Sequence, residues 1–287
     1  MPADPPSSPW KRRPPRPAAR PAASRSPRDE EAVTPVPGAA AVRRGRDEEL
    51  RLHGFNAVQA VFARRPHAIR KLYLAQARIP QLQPLLKWCV ANRVGYRVVE
   101  EDDLRRLAAS RHHEGVVADV LREAPQALTA WLRDLGEGPA CALWLDGVGN
   151  PHNLGAILRS AANFGAAVLL PKHSPLQLSG AAARVAEGGA EAVPLVRLGR
   201  EDNAIAQLRG AGFGLAATVV RGGDDAFEAE LPQRLVYVLG NEGEGMSPAL
   251  AEACDLQLSI PGTGAVESLN VAAATAVLLA RWWQVAL

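Results

Sequence analysis

The stretch DGVGNPHNLGAILRSAANFG runs from Asp146 to Gly165 and joins the end of a strand to a helix. An apolar run ends at Val148, and the Gly-Asn-Pro sequence that follows is typical of a turn. Gly165 is a suitable C-terminal stop. The stretch predicts a strand, a turn and a helix in succession, which is half of a βαβ unit. Apolar residues recur at helical spacing between the turn and the stop: Leu154, Ile157, Leu158 and Ala161.

The chain from residue 139 onward alternates between apolar runs and stretches with a helical pattern. The runs are nearly continuous, which is typical of parallel strands covered by helices on both faces. This half of the chain therefore predicts an α/β domain, 139–287, with a parallel sheet and helices on both sides. The predicted strands are CALWLDGV, AAVLLP, AVPLVRL, GLAATVV, RLVYVLG and LQLSIPG.

Residues 47–120 form a smaller alternating unit, joined to the larger domain by a linker over 121–138 that contains one helix, ALTAWLRDL. The unit opens with a predicted helix over LRLHGFNAVQAVFARRP, which Pro66 ends. This pattern predicts a small α/β domain. Its other predicted strands and helices are IRKLYLA, PQLQPLLKWCVANRV, GYRVVE, EDDLRRLAAS and GVVADV.

Residues 1–46 are rich in proline and arginine and have no apolar periodicity. Such a segment buries too little surface to offset its ordering entropy, so we expect it to be disordered. Its basic residues fit an electrostatic arm for RNA phosphate, but a solvated tail without a required role fits them equally well.

Composition adds weaker constraints. The chain of 287 residues carries a formal net charge of +3, which is compatible with a nucleic-acid partner without being specific for one. Cys89, Cys141 and Cys254 form no CxxC pair, so we expect reduced thiols and no metal site, including at His112–Glu114. The N-terminus lacks the apolar core of a secretory signal, and the apolar run 271–280 is too short to span a bilayer. A cytoplasmic protein outside the membrane is expected.

Three loops at predicted strand ends carry candidate functional residues, because ligands of open α/β sheets bind beyond the carboxyl ends of the strands. In the first loop, Asn153 is placed either to cap the next helix or to serve a site. Arg159 on that helix is either a solvent-exposed arginine or a functional one. Neither residue decides the question alone.

The second loop is VLGNEGEGMSP, 238–248, whose glycines let the backbone approach a ligand closely. It matches neither the dinucleotide fingerprint nor a P-loop, and Glu242 is either a capping acid or a site carboxylate. The third loop lies within SIPGTGAVESLNVAAATAVLLA, 259–280, where Ser268 and Asn270 precede a long apolar helix. These two residues serve a site or cap that helix.

Together the three motifs resemble the SpoU (TrmH-like) branch of the SPOUT RNA methyltransferases. NPHNLGAILRSAANFG is similar to the first motif, LVYVLGNEGEG to the second and LSIPGTGAVESLN to the third. SGAAARVAEGGAEAVPL, between the first two, also resembles the family. The segment 47–120, ending in HHEGVVADV, looks like the small L30e-type substrate-binding domain that often precedes the methyltransferase domain.

The resemblance implies a C-terminal trefoil knot, which nothing in periodicity or spacing predicts. It also implies S-adenosylmethionine as cofactor, an RNA substrate (rRNA or tRNA), no required metal, and a homodimer with the knot region at its interface. The C-terminal helix around Arg281–Trp283 belongs either to that interface or to the core of one chain. The positions that match the family's cofactor pocket are Leu239, Gly240, Ile260 and Leu269.

The resemblance further implies transfer of a methyl group to a ribose 2′-hydroxyl, a poor nucleophile until it loses its proton. The family pattern points to Arg159 for activation of this hydroxyl. Since a guanidinium offers only hydrogen-bond donors and no acceptor, we do not assign Arg159 as the literal proton acceptor. Asn153 and Asn270 are expected to order the site and its hydrogen bonds. Glu242 and Ser268 are expected to contact Arg159 or the substrate.

One departure concerns Gly262, where many family members carry a methionine after the proline. It makes the chain look closest to a less characterised subgroup of tRNA/rRNA methyltransferases. Two alternatives to ribose methylation are considered. A SPOUT base methyltransferase is disfavoured by Arg159 in the first motif. An RNA-binding protein without catalysis is disfavoured by the intact polar positions of all three motifs.

Overall fold

Two β-sheets organise residues 49–241 and 245–286, which are the residues described in a computed structural model. All of these described residues belong to the same compact unit. The tail 1–46, for which disorder is predicted, and the candidate residue Glu242 lie outside the described residues. No helix within the described ranges is long and apolar enough to cross a membrane.

The N-terminal sheet has four strands in the order β1-β4-β2-β3. β4 pairs antiparallel with both β1 and β2, whereas β2 and β3 are parallel. The predicted strands and helices after residue 66 are confirmed. The elements are β1 Glu49–His53, α1 Phe55–Arg64, β2 Ile69–Leu74, α2 Ile79–Ala91, β3 Gly95–Val98, α3 Glu101–Ala108 and β4 Val116–Leu121.

The helix predicted over LRLHGFNAVQAVFARRP begins later than expected, at Phe55. Residues Glu49–His53 form strand β1 rather than the first turns of a helix, and Leu50 and Leu52 alternate inward from it. Gly54 separates the strand from α1 with a backbone φ of 100°, a conformation that glycine adopts without strain. Helical and strand periodicities overlap in this short apolar stretch, so the pattern alone does not distinguish them.

The larger sheet has eight strands in the order β10-β12-β9-β11-β6-β7-β8-β5, and every neighbouring pair is parallel. All six strands predicted for this domain are present, and the two-residue strands β5 and β10 were not predicted. The strands are β5 Gln126–Ala127, β6 Ala140–Leu145, β7 Ala167–Leu170, β8 Leu195–Arg197, β9 Gly214–Thr218, β10 Asp224–Asp225, β11 Arg234–Leu239 and β12 Leu256–Ser259.

Helices cover this sheet on both faces, as the continuous apolar runs predict. All six residues of β6 are buried, with alternate side chains in two separate apolar clusters. Helices α5 and α9 pack on one face, and α4, α7 and α8 on the other. The helices of this half are α4 Leu128–Asp134, α5 Pro151–Phe164, α6 Gly180–Val185, α7 Glu201–Gly210, α8 Pro248–Glu252 and α9 Val271–Ala286.

The small unit packs against α6 and the 3-10 turn that follows it. Arg65 of the small unit makes two hydrogen bonds, of 2.5 and 2.7 Å, to the carboxylate of Glu191. The Arg65 side chain is 13% exposed and that of Glu191 is 5% exposed. A Cβ on Gly180 would overlap the carbonyl oxygen of Arg51, so α6 and β1 are in close backbone contact.

A second set of contacts surrounds Arg184 of α6. Its guanidinium lies 3.2 Å from the Glu114 carboxylate and donates a hydrogen bond of 2.8 Å to the carbonyl oxygen of His112. Burial, and secondarily the positive charge of Arg184, lower the pKa of the buried His53. The two units are therefore joined by buried polar contacts in addition to the linker 121–138.

We expect Glu191→Gln to lower the free energy of unfolding by about 2–4 kcal/mol, because the largely buried guanidinium of Arg65 keeps only the exposed carboxylate of Glu123, 3.5 Å away, as a charged partner. Urea unfolding measures the change. Asp134→Asn is the matched control, because the Arg133–Asp134 pair is exposed (74% and 65%) and solvent screening leaves it little effect on stability. Equal losses in the two variants would show that the buried pair does not hold the units together.

Candidate functional site

A cavity of about 410 Å³ lies at the carboxyl ends of β9, β11 and β12. Residues just beyond β9 and β11 form one wall, and the loop before α9 together with α9 itself forms another. Such a position is the usual ligand site of an open parallel sheet. The lining residues are Thr218, Val219, Val220, Leu239, Gly240, Asn241, Gly245, Met246, Ala251, Leu258, Ile260, Glu267, Ser268, Leu269, Val271, Ala274 and Leu278.

The four residues predicted to hold a cofactor all line this one cavity, although they come from three separate segments of the chain. Leu239 is the buried last residue of β11, and Ile260 follows directly after β12. Leu269 is 45% exposed and lies in the loop that precedes α9. Their convergence follows from the parallel sheet, and their contact with a cofactor stays a prediction.

Gly240 is required by the tight fold of the second loop. A Cβ at this position would lie 2.5 Å from the carbonyl carbon of Gly245 and from the amide nitrogen of Met246. Asn241 and Gly245 exchange backbone hydrogen bonds of 2.9 and 3.0 Å, which closes the loop on itself. The glycine thus allows the backbone to line the cavity directly.

Asp146 is a site-shaping residue that the sequence analysis did not single out. It follows β6, and its carboxylate accepts a hydrogen bond of 3.0 Å from the Ser247 amide at the start of α8. It also contributes, after burial, to a raised pKa of Glu201. Its place at the end of a predicted strand was the available signal, but its partner lies 101 residues away in the sequence.

The charge around the cavity is negative. Glu267 is the one charged side chain among the described lining residues, and none of these is a lysine or an arginine. The remaining walls are largely apolar, with polar groups from the backbone of the strand ends, Thr218, Asn241 and Ser268. The cavity is therefore suited to a ligand with both apolar and cationic parts.

Asn153 and Asn270 are brought together next to the cavity. The Asn270 side-chain amide donates a hydrogen bond of 3.1 Å to the side-chain oxygen of Asn153, which is 9% exposed. Asn270 also caps α9, because its side-chain oxygen accepts from the Ala272 amide at 2.9 Å. Ser268, two residues earlier, lines the cavity.

Asn153 is not the cap of its own helix, contrary to one reading of the sequence. Asn150 fills that position, and its side-chain oxygen accepts from the His152 amide at 2.9 Å. Pro151 is the first helical residue, where its fixed φ and missing N–H are tolerated. The strand before it also ends earlier than predicted, at Leu145 rather than Val148. Asn153 therefore does not cap α5, and its side chain faces α9.

Arg159 is not brought into the cavity. It is exposed on α5 and is not among the described residues that line the cavity. The Arg159 backbone packs against the 3-10 turn that follows α6, because a Cβ added to Gly189 in that turn would lie 3.1 Å from the Arg159 Cα. Glu242 belongs to the second loop but lies outside the described residues.

Metal-binding chemistry has little support in the described part of the chain. No group of three or more histidine, cysteine, aspartate or glutamate residues there is arranged to hold a metal ion. The three cysteines are free thiols, and burial raises the pKa of the half-buried Cys254 to about 11, which favours the protonated form.

Comparison with known proteins identifies the family. Residues 140–280 match the model of the SpoU rRNA Methylase family, and residues 51–125 match the model for RNA 2'-O ribose methyltransferase substrate binding. The 23S rRNA (guanosine-2'-O-)-methyltransferase RlmB of Pseudomonas syringae pv. tomato is 35% identical over 233 residues, which cover 80% of this chain and 93% of that protein. The chain belongs to the SpoU rRNA methylase family.

Another SpoU-type relative is an uncharacterized tRNA/rRNA methyltransferase, YfiF, of Escherichia coli O157:H7. It is 39% identical over 243 residues, which cover 85% of this chain and 70% of that protein. The AdoMet-bound rRNA methyltransferase of Sinorhizobium meliloti has a similar structure, with a TM-score of 0.70 and 25% identity over 86% of this chain and 91% of that one. The predicted SpoU resemblance and the mixed α/β class with a parallel sheet are thereby confirmed.

We expect Asn270→Ala to lower the free energy of unfolding by about 1–2 kcal/mol, because it removes the cap of α9 and the hydrogen bond to Asn153. Asn270→Ser should fall between wild type and alanine, since serine keeps a capping oxygen but lacks the amide donor. Asn92→Ala, at an exposed helix end, is the control. If the serine and alanine variants lose equal stability, the link to Asn153 contributes the larger part.

Proposed function

We propose that the chain is an S-adenosylmethionine-dependent RNA methyltransferase that methylates a ribose 2′-hydroxyl in rRNA or tRNA. The observation that carries the proposal is the cavity at the carboxyl ends of β9, β11 and β12, where all four positions expected to hold the cofactor meet. The ribose specificity is supported by the relatives, of which several are named 23S rRNA (guanosine-2'-O-)-methyltransferases.

The cavity fits S-adenosylmethionine in size and in charge. Its volume of about 410 Å³ lies within the range of small-molecule sites, roughly 300–1,000 Å³. Leu239, Ile260 and Leu269 offer apolar surface for the adenine, and the backbone around Gly240 offers hydrogen-bonding groups. The cofactor supplies an electrophilic methyl group on a sulfonium cation. Glu267, without a lysine or arginine beside it among the described lining residues, gives that cation a favourable setting.

Arg159 is the residue that we assign to activation of the ribose hydroxyl. Its guanidinium is an unsuitable literal base, since it offers only hydrogen-bond donors and no acceptor. It can instead hold the hydroxyl and the adjacent phosphate by hydrogen bonds and stabilise the developing alkoxide. Arg159 is exposed on α5 and does not line the cavity of its own chain. Either the acceptor nucleotide or a second copy of the chain must therefore bring Arg159 and a cavity together.

The remaining polar positions order the site in this proposal. The Asn270–Asn153 hydrogen bond fixes the start of α9 against α5 and thereby sets the position of the loop that carries Ser268 and Leu269. Ser268, which lines the cavity, is assigned to contact the target nucleotide or Arg159. Glu242 is assigned to orient Arg159 or the substrate from the second loop.

The small N-terminal unit is proposed as the RNA-binding domain, of L30e type. Residues 51–125 contain thirteen lysines and arginines against seven carboxylates, a net charge of +6. Residues 140–280 contain eight against fourteen, a net charge of −6. The attraction for RNA phosphate therefore resides in the small unit, which suits recognition of a folded RNA by shape and exposed nucleotides.

Three further expectations stay part of the proposal. They are the domain limits 47–120 and 139–287, a trefoil knot in the C-terminal part of the larger domain, and a cytoplasmic homodimer. Trp282 is buried and donates to the carbonyl oxygen of Gln233, whereas Trp283 is 44% exposed and Val285 is 42% exposed. The end of α9 thus contributes both to the core of the chain and to a surface that a second copy can cover.

Methyl transfer from radiolabelled S-adenosylmethionine to RNA that lacks this modification tests the proposed function. Nuclease digestion to nucleosides then identifies the labelled product. A 2′-O-methylnucleoside supports the proposal, and the size of the labelled RNA assigns rRNA or tRNA. A base-methylated nucleoside, or cofactor binding without transfer to either RNA class, overturns it.

We expect Arg159→Ala to lower kcat by at least about 100-fold with unchanged cofactor affinity, because the hydroxyl loses its stabilising partner. Arg159→Lys should recover little of this loss, since lysine keeps the charge but lacks the planar pair of donors. Single-turnover kinetics and cofactor titration separate the two effects. Arg133→Ala, an exposed helical arginine elsewhere, is the control, and comparable rates in both alanine variants would remove Arg159 from the mechanism.

Gly240→Ala should weaken cofactor binding by about tenfold or more, because its Cβ would displace the backbone at Gly245 and Met246. Gly262→Ala is the matched control in the third loop, where a Cβ would meet nothing within 4 Å. Calorimetric titration measures the affinities, and circular dichroism checks that both variants fold. Unchanged binding in Gly240→Ala would show that the second loop does not form the cofactor site.

A further inference from the structure

We propose that Lys172 and Arg221 bind phosphates of the target RNA strand on opposite sides of the second loop, and so guide that strand across the carboxyl edge of the large sheet. The inference rests on the proposed function and extends it to the path of the substrate.

The charge of the larger domain opposes RNA binding. With a net charge of −6, residues 140–280 repel the phosphate backbone that must nevertheless lie against their catalytic edge. Electrostatic attraction for phosphate in this half must therefore come from individual cations that are not already used to hold the protein together.

Five of the eight basic side chains in this half are already bonded within the chain. Arg184, Arg200 and Arg209 pair with carboxylates, and Arg197 and Arg234 donate to backbone carbonyl oxygens. The other three, Arg159, Lys172 and Arg221, are exposed and make no hydrogen bond or ion pair with any residue in 49–241 or 245–286.

Lys172 is presented by a braced turn at the end of β7. The Ser174 amide donates to the carbonyl oxygen of Pro171 at 3.0 Å. Arg197 of the neighbouring strand β8 donates to the carbonyl oxygens of Pro171 and Ser174 at 3.0 and 3.1 Å. Lys172 lies between these fixed points with its side chain exposed, so little backbone entropy is lost when it binds a phosphate.

Arg221 is presented in the same way beyond β9, one residue after Val220 of the cavity wall. The bend that carries it is fixed to β12 at both ends. The Val219 amide donates to the carbonyl oxygen of Leu258 at 2.9 Å, and the Ser259 hydroxyl donates to that of Gly223 at 3.1 Å.

The sheet order places these two cations on either side of the loops that carry the first and second motifs. β11 and β6, whose following loops carry the second and first motifs, lie between β9 and β7. Three strand spacings of about 4.8 Å separate β9 from β7, roughly 14 Å. A single RNA strand that crosses this edge can therefore contact Arg221 and Lys172 with its phosphates while its target ribose lies at the cavity.

The test uses the full chain with Lys172→Gln, Arg221→Gln and the double variant. Arg200→Gln is the matched control, because Arg200 is an exposed arginine beyond β8 that already pairs with Asp202. The probes are unmodified 23S rRNA and an unmodified tRNA pool, both transcribed in vitro. Steady-state methylation is measured on whichever RNA the wild-type chain modifies, together with RNA and cofactor affinity at several salt concentrations.

Each single variant should raise the KM for RNA roughly two- to fivefold, with kcat and cofactor affinity unchanged. The slope of log affinity against log salt should become less negative by about 0.7–0.9 per removed cation. Salt slopes equal to that of Arg200→Gln would overturn the inference, and reduced cofactor affinity in Arg221→Gln would reassign Arg221 to the cofactor. Failure of the wild-type chain to methylate either RNA would instead count against the proposed function itself.

Discussion

The parallel pairing of β11 with β6 is the constraint on which the candidate site depends. The two strands are aligned over six residue pairs, from Arg234 beside Ala140 to Leu239 beside Leu145. Because both strands end at the same level, the loops of the first and second motifs emerge side by side, although about ninety residues separate them in the sequence. The hydrogen bond that the Ser247 amide donates to the Asp146 carboxylate links these two loops. Every other feature of the site is built around this pair.

The sequence was a good guide wherever burial dictated the pattern. The six strands of the large sheet have apolar runs because helices cover both of their faces, and parallel order places their carboxyl ends at one edge. The resemblance of the three motifs to the family implied that Leu239, Gly240, Ile260 and Leu269 share one pocket, and the parallel order of the strands accounts for their convergence. Strand β1 could not be predicted, because it is only five residues long and its Leu50 also fits the apolar face of the helix that follows, and β5 and β10 are too short to show any pattern.

Contacts between polar residues that are far apart in the sequence could not be predicted from it. Nothing in the local pattern connects Asp146 to Ser247 or Arg65 to Glu191, since each pair depends on how separate elements pack. The interpretation of Asn153 as a helix cap was wrong for a related reason. The helix begins at Pro151 with Asn150 as its cap, so Asn153 lies inside the helix and accepts a hydrogen bond from Asn270. The position of Arg159 outside the cavity likewise required the three-dimensional arrangement.

The junction between the two units has a consequence for how distance along an RNA is read. Arg65 and Glu191 are held together with little exposure, and α6 lies in backbone contact with β1. The small unit and the sheet edge that carries the cavity are thus held in one position relative to each other. In the proposed function, this junction sets how far the modified nucleotide lies from the RNA segment that the small unit binds.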